Sequence, residues 1–175
     1  MGWTIPPEPP PVLLHYSEDP NIAEFVPHTP VSNPTQAPAV WTIDPAHAPL
    51  YWFPRDCPRI AVWANDPDQQ ERLDRCFVTR ASRVQAVPLS WFAAIRDCRL
   101  FEYRFDPAPF AAWLDAEGQW IAHERVGAMS VEPVGDLFDR HVSAGVELRF
   151  VPDLEPLRTA VLGSALPFSI VRVRS

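Results

Sequence analysis

The stretch Arg99-Leu100-Phe101-Glu102-Tyr103-Arg104-Phe105 alternates between two sets of side chains over its whole length. Leu100, Glu102 and Arg104 fall on one side, while the aromatic residues fall on the other. A period of two is typical of a β-strand, because successive side chains of a strand point to opposite faces. We therefore predict a strand over residues 99–105 and a fold in which β-sheet is a main component.

Shorter apolar segments on both sides of this strand predict further strands and a few helices. The predicted strands are residues 12–16, 40–43, 59–63, 83–87, 119–122, 126–131, 146–151 and 168–173, with 119–122 and 126–131 forming a hairpin-like pair. The predicted helices are residues 66–77, 90–95, 107–114, 135–143 and 154–162, the second capped by Ser90 and the fourth directing Leu137, Phe138 and Val142 inward. Because the order of elements is mixed, we predict an α+β fold with mixed, largely antiparallel sheets and a few short helices.

Chain length and proline positions predict the domain organisation. Five of the first eleven residues are proline, so residues 1–11 are expected to form an extended proline-rich N-terminal tail. Residues 12–175 contain no linker or internal repeat, and their number is close to the usual size of one domain. We predict a single α+β domain over residues 12–175.

Features that membrane and secreted proteins require are missing from the sequence. No apolar window of about 18 residues exists, and residues 1–14 lack the basic and continuous apolar regions of a signal peptide. The spacing of Cys57, Cys76 and Cys98 fits neither a disulfide framework nor a C-x-x-C zinc pair. We expect a soluble, cytoplasmic protein that does not contact a membrane.

Arginine, glycine and histidine usage excludes several classes of enzyme. All 15 basic side chains are arginine, so no lysine is available for a Schiff base or a Walker A loop. The six glycines are never closer than eight residues, which excludes both G-x-G-x-x-G and G-x-S-x-G. The five histidines are scattered and H-E-x-x-H does not occur, so we predict no metal site and no required cofactor.

Charge is distributed unevenly along the chain. Residues 1–54 hold five acids and no arginine, whereas residues 72–104 hold seven arginines against three acids, a local net charge of +4. The whole chain carries −7, and this acidic balance disfavours binding to nucleic acid. Two interpretations remain: the basic segment pairs with the acidic ends of the chain, or some arginines bind a small phosphorylated ligand in a cleft.

Residues 14–20 (LHYSEDP) form the first candidate site, because a histidine, a hydroxyl and two acids meet at the end of a predicted strand. Strand ends hold side chains rigidly, so His15 and Ser17 are candidate functional residues. The alternative is that His15 is a hydrogen-bonded core histidine and that Ser17 and its neighbours cap the next turn.

Residues 41–59 form the second candidate site, in which aromatic residues, a histidine and two arginines are held between stiffening prolines. Tyr51, Arg55 and Arg59 are the candidate ligand-binding residues. The alternative is that the aromatic residues belong to the core and that Asp56 pairs with an arginine or a turn amide.

Cys57 lies in the same segment, between Arg55 and Arg59. Their positive charges are expected to favour the thiolate and lower the pKa of the thiol. No partnered base is identifiable, so a nucleophilic role is not favoured, and the role of Cys57 stays open.

Four segments resemble an uncharacterised bacterial family of unknown function. They are residues 14–22 (LHYSEDPNI), 40–44 (VWTID), 51–59 (YWFPRDCPR) and 131–137 (VEPVGDL). The resemblance extends over most of the chain after the proline-rich tail and implies no activity. More remotely, His-x-Ser at the end of the first strand, V-W-T-x-D followed by a tyrosine, and a glutamate on a later strand are similar to the H-Y-E arrangement of ADP-ribosyltransferase-like folds.

The second resemblance implies a ligand of the NAD type, bound between two small sheets without a glycine-rich loop. In that arrangement Glu132 and His15 are the catalytic residues, because Glu132 orients the ribose and His15 hydrogen-bonds a ribose hydroxyl. The remaining ligand-binding residues are Tyr51, which stacks on the nicotinamide, and Ser17, Arg55 and Arg59. Ser130 stands two residues before Glu132, where arginine-modifying members carry a second acid, so modification of a protein is not expected.

Two hypotheses from different classes remain open. The first is a nucleotide-binding protein, or an enzyme that transfers or hydrolyses an ADP-ribosyl group, with NAD as substrate. It requires that His15, Tyr51 and Glu132 line one pocket. The second is a non-catalytic binding or protein-interaction domain whose aromatic residues 41–63 form the core. The sequence decides neither whether the protein is an enzyme nor its oligomeric state.

Overall fold

The structure, a computed structural model, describes residues 7–30 and 34–173. Within these residues the chain forms two mostly antiparallel sheets and four helices, so the predicted α+β class is confirmed. The chain divides into two compact units. The first contains the described residues up to Ala48 together with Leu100–Pro133, and the second contains Pro49–Arg99 together with residues 134–173.

The elements are numbered in chain order. The strands are β1 (Leu13–Ser17), β2 (Val40–Ile43), β3 (Arg59–Trp63), β4 (Arg83–Pro88), β5 (Phe101–Phe105), β6 (Ala111–Ala112), β7 (Gln119–Ala122), β8 (Ser130–Pro133), β9 (Val146–Val151) and β10 (Phe168–Val171). The helices are α1 (Pro67–Phe77), α2 (Phe92–Asp97), α3 (Leu137–Ser143) and α4 (Glu155–Leu162), with short 3₁₀ turns at Ala48–Tyr51 and Leu89–Trp91.

The first unit is built on a six-stranded antiparallel sheet in the order β6-β7-β2-β1-β5-β8. Its core lies on one face, where the rings of Tyr103 and Phe105 on β5 meet Phe25 edge to face at 5.1 and 5.0 Å between centroids. The aromatic side of the alternating stretch therefore points into this core. Glu102 and Arg104 point to the opposite face of the sheet.

The second unit contains a four-stranded sheet in the order β10-β3-β4-β9, in which only β4 and β9 are parallel. One face is apolar, and Val62 packs there with Leu73 of α1 and Val161 of α4. Because side chains alternate along a strand, Arg59 on β3 and Gln85 on β4 point to the other face. That second face carries the candidate site described below.

Helix α1 begins where the sequence predicts, and at its end a valine occupies a left-handed backbone conformation. The carboxylate of Asp66 caps it by accepting a hydrogen bond from the Gln69 N–H at 2.7 Å, and Pro67 occupies the first turn, where its missing N–H costs nothing. The helix ends at Val78, which is left-handed at φ 51° and 88% exposed. A β-branched residue is strained in this conformation, which glycine normally occupies.

Four details of the predicted fold are wrong. Residues 107–114 form no helix, because β6 pairs there with β7. Ser90 does not cap α2, whose N-cap residue is Trp91 and carries no side-chain hydrogen bond. Strands β7 and β8 are not a hairpin, because β7 pairs with β2 and β6 while β8 pairs with β5. Val142 is 75% exposed, although Leu137 on the same helix is buried. The errors at residues 107–114 and at β7 and β8 concern strand partners that are distant in sequence.

The predicted N-terminal tail is described only in part. Residues 7–11 form neither helix nor strand, and residues 1–6 lie outside the described residues. The compact units both draw on two separate parts of the chain. A single domain over residues 12–175 stays a prediction.

Candidate functional site

Arg59 is a buried cation on an inner strand of the second unit. It is 8% exposed, its Nε donates to the Leu50 carbonyl at 2.9 Å, and its Nη1 donates to the Cys57 carbonyl at 3.0 Å. Among residues 7–30 and 34–173, no carboxylate forms an ion pair with Arg59 and no acceptor reaches its Nη2. Buried arginines normally have a carboxylate partner, so the charge of Arg59 is only partly compensated by the protein.

Two aromatic rings complete the environment of Arg59. Its guanidinium carbon lies 5.9 Å from the ring centroid of Tyr51 and 5.4 Å from that of Phe53. Cation–π attraction at these distances stabilises a guanidinium but does not neutralise it. Tyr51 is half-buried, whereas Phe53 is buried. We call Tyr51, Phe53, Cys57 and Arg59 the arginine–aromatic site.

The charges around the arginine–aromatic site are mostly positive. Burial lowers the pKa of Arg59 below its usual value, and the nearby positive charge of Arg172 acts in the same direction. Arg172 itself pairs with Asp56 at 3.1 Å, which confirms that Asp56 contacts an arginine. Arg55 lies exposed in the turn that the Cys57 N–H closes on the Pro54 carbonyl at 3.0 Å. Three arginines thus share this region with one acid.

Cys57 does not have the lowered pKa that the flanking arginines predict. Burial raises the pKa of its thiol to about 12, and this effect outweighs the opposing charge of Arg59. The Sγ atom lies 3.5 Å from the Pro58 carbonyl oxygen. At neutral pH the thiol is therefore protonated, which disfavours a nucleophilic role.

Buried polar atoms without partners lie next to the arginine–aromatic site. The ring of His141 packs 4.8 Å from that of Phe53, and its Nδ1 lies 2.6 Å from the Leu137 carbonyl oxygen. Burial lowers the pKa of His141, and its Nε2 has no partner among the described residues. Gln85, 1% exposed on the same face of the sheet as Arg59, likewise has no partner there for either polar side-chain atom. Such groups are usually satisfied, so this interior is unusually polar.

Neither Gln85 nor His141 was predicted from the sequence to be a site residue. A signal for His141 exists, since it stands four residues after Leu137 and a single histidine on an apolar helix face is conspicuous. Gln85 offers a weaker signal, because it interrupts the apolar run of β4. Neither pattern reveals that the polar atoms lack partners, since this depends on the packing of distant segments.

In the first unit, His15 and Ser17 have structural partners of the kind that the alternative interpretation expects. The His15 ring lies 4.9 Å from Phe25, and its Nδ1 is 2.9 Å from the Trp41 carbonyl oxygen. The Ser17 hydroxyl accepts a hydrogen bond from the Asp19 N–H at 3.1 Å and so caps the following turn. Both contacts position the chain after β1.

Glu132 lies on β8, at the edge of the first unit's sheet, and stands directly opposite Glu102 on β5. Glu132 is exposed, whereas Glu102 is 6% exposed and accepts hydrogen bonds from the Tyr16 hydroxyl at 2.8 Å and from Arg104 Nε at 2.9 Å. The sheet thus supplies a second acid beside Glu132 from a neighbouring strand. Glu102 was not predicted as this acid, because its position beside Glu132 comes from strand pairing and not from spacing along one strand.

The predicted site residues are only partly brought together. Tyr51 and Arg59 are in contact in the second unit, whereas His15 and Glu132 lie on opposite faces of the sheet of the first unit. His15 pairs with Tyr103, and Tyr103 pairs with Val131, so the next residue on β8, Glu132, points the other way. A ligand on the Glu132 face is therefore separated from the His15 imidazole by the sheet. The requirement that His15, Tyr51 and Glu132 line one pocket is therefore not met, because His15 and Glu132 are on opposite faces. The individual roles predicted for these residues remain predictions.

Metal-binding clusters and membrane-spanning helices are both absent from the described residues. Within residues 7–30 and 34–173, histidine, cysteine and acidic side chains do not gather in groups of three or more that could bind a metal ion. None of the described helices combines the length and apolar character required to cross a lipid bilayer.

Comparison with known proteins places the chain in a family. A family model described as "Family of unknown function (DUF6886)" matches residues 14–175. No curated protein and no solved structure matches the chain. Since the matched residues include both units, nearly the whole chain belongs to this family of unknown function.

Proposed function

We propose that this protein binds a small phosphate-bearing ligand of the NAD or ADP-ribose type through the arginine–aromatic site. The observation that carries the proposal is Arg59, a buried guanidinium with no ion-pair partner among the described residues and with an Nη2 group that donates to none of them. A phosphate oxygen is the acceptor that best matches such a group, because arginine binds phosphate through charge-assisted, directional hydrogen bonds.

The neighbours of Arg59 suit the rest of such a ligand. Tyr51 is half-buried and offers a ring on which a base or a nicotinamide can stack. Arg55 is exposed and Arg172 about half-exposed, so both contribute positive potential at the surface, where a second phosphate would lie. These features also explain why the acidic net charge of the chain does not oppose the proposal, since attraction of a small anion depends on local charge.

Hydrolysis or transfer of an ADP-ribosyl group is the second part of the proposal, and it rests on the resemblance to ADP-ribosyltransferase-like folds. In hydrolysis, water adds to the ribose carbon of NAD as the bond to nicotinamide breaks, and ADP-ribose, nicotinamide and the proton lost by the water are released. Within the first unit, Glu132 is proposed as the acid that orients the ribose, with Glu102 as the neighbouring acid. This second part is independent of binding at the arginine–aromatic site of the second unit. His15 takes no part in this version, because it lies on the other face of the sheet.

Binding is tested by thermal unfolding with NAD, ADP-ribose and, as a phosphate-free control, adenosine. A ligand present at about 100 times its dissociation constant stabilises the folded protein by about 2.7 kcal/mol. We expect this stabilisation with ADP-ribose or NAD but not with adenosine. Arg59→Gln should abolish it, whereas Arg75→Gln, which changes an exposed arginine on α1, should not.

Two further variants keep the binding test decisive if Arg59→Gln does not fold. Tyr51→Ala removes the proposed stacking ring, and Arg172→Gln removes a half-exposed charge near Arg59. Both are expected to weaken the ligand-induced stabilisation. Equal stabilisation of wild type and all site variants, or none in wild type, would rule out binding at the arginine–aromatic site.

The catalytic part has its own prediction. If wild type releases nicotinamide from NAD, Glu132→Gln should slow the release by about a hundredfold or more, as loss of a positioned carboxylate usually does. Glu124→Gln, which changes another exposed glutamate of the first unit, should leave the rate unchanged. Chromatography of the nicotinamide released measures both rates. If wild type releases no nicotinamide, the catalytic part of the proposal is wrong and only the binding part stands.

A non-catalytic interaction domain is the second candidate function, and one observation favours it. The exposed large apolar side chains of the second unit include Leu89, Phe92 and Val142. Exposed apolar groups of this size often mark contact surfaces for other proteins. An interaction domain does not require a ligand at Arg59. Binding of a ligand there would not prevent contact with another protein.

A further inference from the structure

An aromatic patch lies on the surface of the second unit. Phe92, Phe138 and Phe150 form a cluster with centroid distances of 5.2, 5.1 and 5.8 Å, and Phe92 is 46% exposed. Val142 extends the patch, because it stands four residues after Phe138 on α3 and is 75% exposed. We call Phe92, Phe138, Val142 and Phe150 the aromatic patch.

The aromatic patch adjoins an open sheet edge. Strand β9 carries Phe150 and is the last strand of its sheet, paired only with β4 among the described strands. An edge strand presents unpaired N–H and C=O groups along its outer side and can pair with another strand. The combination of an open edge and exposed apolar side chains therefore points to a protein partner.

The sequence of β9 is complementary to itself in antiparallel orientation. If two copies of β9 pair about Leu148, Glu147 of each copy lies opposite Arg149 of the other, and Val146 lies opposite Phe150. Opposite charges across a strand pair are stabilising, as are apolar pairs. We propose that β9 and the aromatic patch form a two-fold symmetric interface with a second copy of this chain.

Helix α3 supports the same symmetry. It precedes β9 across a short turn and runs antiparallel to it, as shown by the contact between Phe138 near its start and Phe150 near the end of β9. A two-fold axis at Leu148 brings the α3 helices of the two copies to the same side of the joined sheets. Val142 of one copy and Phe138 of the other then lie on the same side of the joined sheets. This arrangement covers Val142, the most exposed apolar side chain of the patch.

The charges of β9 favour a second copy over an unrelated strand. Glu147 and Arg149 pair with each other along the strand at 2.7 Å and remain 36% and 25% exposed. Within the same chain, Glu147 also accepts a hydrogen bond from the Thr79 hydroxyl, and Arg149 donates one to the Phe77 carbonyl. Edge strands that avoid pairing commonly carry repelling charges, whereas an acid and an arginine two residues apart attract the same sequence in reverse. The inference holds whether or not a ligand binds at Arg59.

Sedimentation equilibrium over a wide range of concentration tests this interface. Wild type should show a reversible monomer–dimer equilibrium. Arg149→Glu places acids opposite each other at two symmetric positions and should raise the dissociation constant of the dimer by about tenfold or more. The double variant Glu147→Arg with Arg149→Glu restores opposite charges and should return the dissociation constant to near that of wild type.

Apolar substitutions give a test that does not depend on the charges. Val142→Glu should also raise the dissociation constant by about tenfold or more, and folding is preserved because the side chain is already exposed. Leu162→Glu, at a 54% exposed position on α4, is the matched control and should have no effect. A monomer at every concentration, or a dimer that Arg149→Glu and Val142→Glu leave unchanged, would overturn the proposal.

Discussion

The second unit buries an imidazole and a guanidinium within one chain of contacts. The ring of Phe53 lies 5.4 Å from the guanidinium carbon of Arg59 and 4.8 Å from the ring of His141. The two basic side chains therefore lie near the same aromatic ring. Burial lowers the pKa of each of the two groups. The charge states of the two groups nevertheless differ, because arginine stays charged at any physiological pH whereas a buried histidine loses its proton. A buried neutral His141 beside a charged Arg59 is the expected state.

Titration of His141 predicts the pH dependence of stability. In the unfolded chain its imidazole takes up a proton near the usual pKa of 6.5, whereas in the folded protein it stays neutral to a lower pH. Protons therefore bind the unfolded chain preferentially, so stability is complete above about pH 6.5 and is lost as the pH falls below it, by up to about 1.4 kcal/mol per pH unit.

Urea unfolding of wild type and His141→Gln measures this effect. The difference in free energy of unfolding between the two should shrink from about pH 7.5 to about pH 5.5, because the variant lacks the titrating group. The other histidines cancel in the comparison. A difference that does not change with pH would show that the pKa of His141 is the same in the folded and the unfolded protein, and would contradict the prediction.

Single residues were predicted well where local chemistry decides and poorly where burial decides. Ser17 as a turn cap depends on a near neighbour, and the structure contains this contact. Asp56 was expected to pair with an arginine or a turn amide, and its partner is Arg172, which is distant in sequence. Cys57 was expected to have a lowered pKa from the charges beside it in sequence, but its pKa is raised by burial, which the sequence does not reveal.

At the scale of elements, the end of α1 combines a strained backbone with an exposed side chain. Val78 adopts φ 51° and has little to lose in packing, since it is 88% exposed. Glycine has no Cβ and adopts this conformation without strain. Val78→Gly should therefore stabilise the protein by about 1 kcal/mol, or roughly 2–4 °C in melting temperature.

Calorimetry of Val78→Gly and Val78→Ala separates strain from other effects. Alanine keeps a Cβ atom, so Val78→Ala should recover only part of the stabilisation. A lower melting temperature for Val78→Gly would mean that the valine side chain makes a contact that outweighs the strain of its backbone.

Elements with a clear period were predicted closely, and elements defined by their partners were not. The predicted bounds of β2, β3, β7 and β9 match the structure, and those of α1 match at its cap and its end. The two-residue strand β6 was taken for part of a helix, because Ala111 and Ala112 give no alternation of their own. Its existence depends on pairing with β7, which no local pattern encodes.

At the scale of the whole molecule, the sequence predicted the fold class but not the pairing of strands. Whether His15 and Glu132 share a face depends on the register from β1 through β5 to β8, and a shift of one residue would reverse the answer. The contact between Tyr51 and Arg59 was easier to predict, because the two residues are only eight apart. Tyr51 ends a short 3₁₀ turn, and Arg59 begins β3. Membership of a family of unknown function adds no further constraint on the site.

Binding at Arg59 is measured most directly by nuclear magnetic resonance of the arginine side chains in ¹⁵N-labelled protein. The Nε–H signal of Arg59 is assigned by its loss in Arg59→Gln, and the protein is then titrated with ADP-ribose and with adenosine. We predict that ADP-ribose shifts the Arg59 signal more than that of Arg75 and that adenosine leaves it in place. An Arg59 signal that does not move with saturating ADP-ribose would contradict the account.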